Sequence, residues 1–149
     1  MAMEYLSKNE DDTKQIAAQF SKQLKGGDVV AFLGGLGTGK TFFIREILRN
    51  IGIKEKIQSP SFVLRKNYRK DNLNFDHFDL YRLRPKDLES TGIFEVLGRK
   101  NRICFIEWSE KIKDKLPQKT IFIEIFHQGQ NKRKIVIYSS DGKTNKNEK

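Results

Sequence analysis

The segment Gly34-Gly35-Leu36-Gly37-Thr38-Gly39-Lys40-Thr41 matches G-x-x-x-x-G-K-[ST] at every fixed position. This pattern restricts the fold more than any other stretch of the chain. Its glycines let the backbone turn back on itself with N–H groups converging, and the start of a following helix adds partial positive charge. A loop of this kind therefore needs a strand before it and a helix after it. Both are present. Val29-Val30-Ala31-Phe32-Leu33 is a continuous apolar run, as in a strand buried on both faces. Phe43, Ile44, Ile47, Leu48 and Ile51 fall at helical spacing over 41–51, and Gly52 closes that helix. A random chain of this length shows the motif on the order of once in a hundred cases or fewer. Gly35, Leu36, Gly37, Thr38, Gly39, Lys40 and Thr41 are thus candidate contacts to the phosphates of a nucleotide. Lys40 suits the β- and γ-phosphates, and the Thr41 hydroxyl suits Mg²⁺.

The rest of the chain alternates strands with helices. A first strand is expected over 3–7. A helix follows, with Asn9 as N-cap, acidic residues in its first turn and Gly26-Gly27 at its end. Strands over 62–69 and 73–80 form a hairpin through Lys70-Asp71-Asn72. The 85–96 stretch reads as helix interrupted near Gly92, and 109–115 as a short helix stopped before Pro117. Two more strands, 120–126 and 134–138, flank a polar turn. The expectation is an α/β, P-loop NTPase-like three-layer fold with a mixed, centrally parallel sheet. One domain over 1–140 and a flexible tail over 141–149 are expected.

Composition excludes several classes. Cys104 is the one cysteine, so no internal disulfide can form, and its place in Ile103-Cys104-Phe105-Ile106 suits a core. No apolar run approaches a membrane span, and 1–12 has no apolar leader stretch. A cytoplasmic protein without membrane contact is expected. No Cys/His set has zinc spacing, and no nucleophile-elbow serine occurs. Net charge is +10, from 29 basic and 19 acidic residues, which suits an anionic partner or a generally lysine-rich proteome.

A phosphate loop needs a second acid at a strand end. Arg102-Ile103-Cys104-Phe105-Ile106-Glu107 places Glu107 after four apolar residues, the shape of a Walker B strand. In Asp76-His77-Phe78-Asp79-Leu80-Tyr81-Arg82, alternation sets Phe78 and Leu80 on one face and His77, Asp79 and Tyr81 on the other. Asp79 could hold Mg²⁺ or position a water, or it could lie on a solvated face paired to Arg82. His77 suits a structural role. The Asn-Lys-x-Asp guanine reader is absent, because Asn131-Lys132-Arg133-Lys134 fails at its last position. ATP is therefore the expected nucleotide.

The phosphate loop, Ser59-Pro60-Ser61-Phe62, His77-Phe78-Asp79-Leu80-Tyr81-Arg82-Leu83, Gly92-Ile93 and Ile106-Glu107-Trp108 resemble, in order and spacing, the TsaE (YjeE) family. The resemblance runs over 4–138. It implies a bacterial cytoplasmic ATPase that binds the TsaB–TsaD complex and supports N6-threonylcarbamoyladenosine formation at position 37 of tRNA, with tRNA met only through the complex. It implies Lys40 on phosphate, Thr41 and Glu107 on Mg²⁺, and Asp79 in hydrolysis. It further implies that 59–61 is a switch facing the γ-phosphate and that Trp108 senses nucleotide or partner. By position alone, 9–13 and 132–133 border the nucleotide. The family usually carries an acid where this chain has Gly35, and a second hydroxyl where it has Phe42. Both departures bear on hydrolysis more than on binding.

Two other readings compete. A small-molecule P-loop kinase needs an arginine-rich lid, for which Arg99, Lys100 and Arg102 are the candidates. A nucleic-acid-binding switch protein has only the net charge in its favour. Arg45, Arg69, Arg82 and Arg84 are candidates for a cis arginine finger.

Overall fold

The computed structural model describes residues 2–57 and 65–139. The 59–61 segment, the expected strand residues 62–64 and the expected tail over 141–149 lie outside the described residues.

β1 (Met3–Ser7) leads to α1 (Glu10–Ser21), β2 (Val29–Leu33) and α2 (Lys40–Ile51). The hairpin of β3 (Arg65–Lys70) and β4 (Leu73–Asp79) follows, then α3 (Ile93–Val96) and β5 (Arg102–Glu107). β6 (Ile121–His127) and β7 (Arg133–Ser139) complete one seven-stranded sheet, in the order β1-β7-β6-β2-β5-β4-β3. β2 lies parallel between β5 and β6, and β4 is parallel to β5. Antiparallel partners border this centre on both sides, so the sheet is mixed as expected.

Alternation along the strands divides the core. Val30, Phe32, Ile103, Phe105, Ile123 and Ile125 face α1 and α2, where they meet Phe20, Phe43, Ile44 and Ile47. Val29, Phe78, Cys104 and Ile106 face the opposite way, onto Leu80, Leu88, Ile93 and Ile112. Every residue of β2 is buried, which is why its sequence is an unbroken apolar run. Cys104 is a core residue, and burial pushes its thiol up to about 12.

Two helices differ from expectation. α1 has Asn9 as N-cap, with its side chain accepting from the Asp12 amide, but it ends at Ser21 rather than at Gly26-Gly27. Ser21 Oγ turns back to the Ala18 carbonyl, and the next amides bond three residues back instead of four. Gly26 serves a different purpose. A Cβ there would lie 2.0 Å from the Lys100 carbonyl oxygen, so only glycine allows the backbone to pass the entry of β5. The 85–96 stretch is two 3₁₀ turns, Pro85–Asp87 and Glu89–Thr91, followed by the single turn of α3. The Ser90 and Thr91 hydroxyls donate to backbone carbonyls three residues back, competing with a continuous helix.

Candidate active site

β2 ends at Leu33 and α2 begins at Lys40, with the phosphate-loop segment between them. Gly34, Gly37 and Gly39 have φ of 142°, 73° and 106°, values that side chains with a Cβ seldom adopt. Thr38 Oγ1 donates to the Gly35 carbonyl at 3.0 Å and tightens the turn. Arg133 reaches in from β7 and donates to the Thr38 carbonyl at 2.9 Å.

Lys40 is folded back over this loop. Its ammonium donates to the Gly34 carbonyl at 2.5 Å and lies 3.5 Å from the centre of the Trp108 ring. Burial lowers its pKa below the ordinary 10.5, against the opposing fields of Glu107, Glu110 and Asp79. The Gly35 carbonyl accepts from the same ammonium at 3.4 Å, so two loop carbonyls and the indole surround this cation.

Parallel pairing brings the acids together. Asp79 and Glu107 are register partners at the C-terminal ends of β4 and β5, and Glu107 is also paired with Phe32 of β2. Such strand ends are where α/β sheets place ligands. Thr41 Oγ1 donates to the Glu107 carboxylate, 2.9 Å from each oxygen. His77 Nε2 lies 2.6 Å from Glu107 Oε2. Asp79 is 5% exposed and its Oδ1 accepts from the Tyr81 amide at 3.0 Å, so it does not lie on a solvated face. His77 and Asp79 share the face opposite Phe78 and Leu80, as alternation requires.

Trp108 follows Glu107 with φ 60° and ψ 42°, a left-handed conformation that costs about 1–3 kcal/mol for a residue with a Cβ. The buried Ser109 hydroxyl donates to the Phe32 carbonyl at 3.1 Å and helps hold this turn. The indole ring lies 4.7 Å from the Tyr81 ring. Lys111 secures the other side of the cleft by donating to the Tyr81 and Leu83 carbonyls at 2.6 and 2.8 Å.

Lys40, Thr41, Asp79, Glu107 and Trp108 line one cleft of about 310 Å³, together with 36–39 of the loop. A second cavity of about 410 Å³ adjoins it and shares Thr38, Gly39 and Phe42. Asn9, Thr13, Ile125 and Arg133 contribute to the walls of this second cavity. Four separate chain segments build it, so only positional analogy pointed to 9–13 and 133, and nothing in the local pattern marked Ile125. Phe42 stands between the two cavities.

The donor set fits Mg²⁺. Thr41 and Glu107 offer hard oxygens, and this ion needs only one or two protein oxygens beside phosphate and water. Among the described residues no group of three His, Cys, Asp or Glu side chains could hold a metal by itself. The kinase lid finds no support. Gly26 packs on the Lys100 backbone before β5 begins, at the end of the sheet away from the loop, and Arg102 bonds Asp76 at 2.8 Å. Among the described residues, none of Arg45, Arg69, Arg82 and Arg84 lines either cavity. No described helix is long and apolar enough to cross a membrane.

Residues 7–135 match the family model "Threonylcarbamoyl adenosine biosynthesis protein TsaE". The chain is 39% identical over 137 residues to the tRNA threonylcarbamoyladenosine biosynthesis protein TsaE of Rickettsia felis, covering 89% of this chain and 79% of that one. It is 33% identical over 129 residues to the protein of the same name from Bacillus subtilis, covering 87% and 80%. Among solved structures, Bacillus subtilis YdiB superposes with a TM-score of 0.80 at 28% identity, over 96% of this chain and 88% of that one. The loop, the strand-end acids and a family match over nearly the whole described chain agree, and the protein belongs to the TsaE family.

Proposed function

We propose that this protein is a Mg²⁺-dependent ATPase that serves tRNA threonylcarbamoyladenosine formation by binding a TsaB–TsaD complex. The observation that carries the nucleotide part is the meeting of Lys40, Thr41, Asp79 and Glu107 in one cleft under a complete phosphate loop. The biosynthetic part rests on the names of its relatives and on family membership.

In this reading the amides of the loop and the first turn of α2 bind the phosphate chain. Lys40 exchanges the Gly34 carbonyl and the Trp108 ring for phosphate oxygens, which makes its displacement a report of occupancy. Thr41 and Glu107 hold Mg²⁺, which neutralises charge on the β- and γ-phosphate oxygens when bound. Asp79, fixed by the Tyr81 amide, orients the attacking water. The adenosine moiety occupies the adjoining cavity, with Phe42 and Ile125 as apolar walls and Asn9, Thr13 and Asn131 as polar edges. No arginine lines the phosphate cleft among the described residues, so turnover by the protein alone is slow and a partner accelerates it.

The test is a pull-down with purified TsaB–TsaD. Association is expected with ATP and Mg²⁺ and not without nucleotide. Absence of binding under the first condition would remove this reading.

A further inference from the structure

We propose that His77 is a positioning residue for Glu107, locking the plane of that carboxylate so that one oxygen is reserved for the metal. The inference rests on the reading of Thr41 and Glu107 as the metal-holding pair.

His77 sits in β4, two residues before Asp79, and is fully buried. Its register partner is Phe105, on the face of the sheet that packs under α2. A residue needed there only to fill space would be apolar, like Phe75 and Phe105 nearby. The imidazole instead brings two polar nitrogens into the core and satisfies one of them. Nε2 lies 2.6 Å from Glu107 Oε2, while Nδ1 is enclosed with no hydrogen-bond partner among the described residues. An orphaned buried polar atom costs free energy, so the bond made by the other nitrogen is what justifies a histidine here. A carboxylate can only accept, so the hydrogen of this contact is on Nε2.

The geometry around Glu107 gives this bond its purpose. Thr41 Oγ1 is 2.9 Å from both carboxylate oxygens, so it cannot select one of them or stop rotation of the group. His77 touches only Oε2. It therefore breaks the symmetry and leaves Oε1 to a cation. Metal-binding groups are commonly oriented by such an outer partner, and loss of one typically weakens metal affinity about 10–100-fold.

The experiment measures ADP binding to the full chain across a Mg²⁺ titration, in the wild type, Glu107→Ala, His77→Leu and His77→Gln. Mg²⁺ is expected to tighten ADP binding in the wild type, and Glu107→Ala should remove that gain. If Glu107→Ala keeps it, the metal-site reading fails before His77 is in question. With that arm as expected, His77→Leu should raise the half-saturating Mg²⁺ about tenfold or more, with metal-free ADP affinity unchanged. His77→Gln, whose amide nitrogen reaches the place of Nε2, should recover most of the shift. An unshifted His77→Leu overturns the proposal, as does an equal loss in the Gln and Leu variants or a parallel loss of metal-free affinity. Should the variants fail to fold, ¹⁵N-histidine spectra of the wild type decide, since the chain has only two histidines. His77 should carry its hydrogen on Nε2, and that resonance should move when Mg²⁺ joins the ADP complex. A resonance that does not move overturns the proposal.

Discussion

Asp76 and Glu107 are both buried carboxylates, on the neighbouring strands β4 and β5, and their surroundings are opposite. Asp76 is fully enclosed and fully compensated. It accepts from Arg65 at 3.1 Å, from Asn67 at 2.9 Å and from Arg102 at 2.8 Å. Arg65 is further fixed by the Thr91 carbonyl and lies over the Phe78 ring. Glu107 is 3% exposed, yet among the described residues it forms no ion pair with a lysine or arginine. Its hydrogen bonds come from Thr41 and His77 alone. A carboxylate saturated by two guanidinium groups holds the hairpin, the 3₁₀ segment and β5 together. One left short of positive charge at a strand end has capacity for a cation that arrives from outside. Both are nearly fully buried, so compensation, not burial, separates the acid that braces the fold from the one proposed to hold the metal.

Removing each acid should break the symmetry of their burial. Asp76→Ala strands two arginines and an asparagine, and should cost about 3–5 kcal/mol of unfolding free energy, read by urea denaturation. ADP affinity of the protein that remains folded should not change, because Asp76 does not line the cleft that holds Lys40 and Glu107. A loss below about 1 kcal/mol, the value of an exposed pair, would erase the distinction drawn above.

Glu107→Gln should give the converse pattern. The amide keeps the size of the side chain and removes an undercompensated charge, so stability should move by less than about 1 kcal/mol. Under the proposed ATPase reading, turnover should fall at least about a hundredfold, since a metal contact at Glu107 would be worth several kcal/mol in the transition state. ATPase assays and urea denaturation on the same preparation check both halves. Normal hydrolysis by this variant would show that Glu107 is not the second acid.

The contrast between the two acids also explains what could be read from the chain. The loop, β2, α2 and the end of β5 are local. A glycine pattern, an apolar run and a terminal acid lie within a few residues of each other, so Lys40, Thr41 and Glu107 were all visible. Asp79 remained open between a site residue and a solvated one, because alternation assigns a face but not its depth. The Asp76 cluster had no signature. Its arginines lie 11 and 26 residues away, and each looks like surface charge in the sequence. His77 read as structural because its partner is 30 residues distant. Of the second cavity only 9–13 and 132–133 were indicated, by position alone, since β1–α1, the loop, β6 and β7 meet only once the sheet is ordered. The end of α1 was misplaced because a Gly-Gly pair reads as a helix stop, whereas Gly26 serves the close passage beside the entry of β5.

The smallest effect concerns Lys40, which shares its cleft with Glu107 and Asp79. In the folded protein Lys40 has its pKa below 10.5 because burial disfavours the charged form. The unfolded chain therefore binds this proton more tightly than the folded one. At pH below the lowered folded value both states are protonated, and the full cost of burying the ammonium is present. As pH rises through the folded value towards 10.5, the folded protein loses the proton first and the cost is relieved. Lys40→Met has no such group. The stability of the wild type relative to Lys40→Met should thus be flat near neutrality and rise on the alkaline side, levelling off above 10.5. Urea midpoints of the two proteins across that range measure the difference. A falling difference would mean that Glu107 and Asp79 outweigh burial at Lys40, and that Glu107 is already compensated by this lysine without any bound cation. The comparison with Asp76 would then lose its basis.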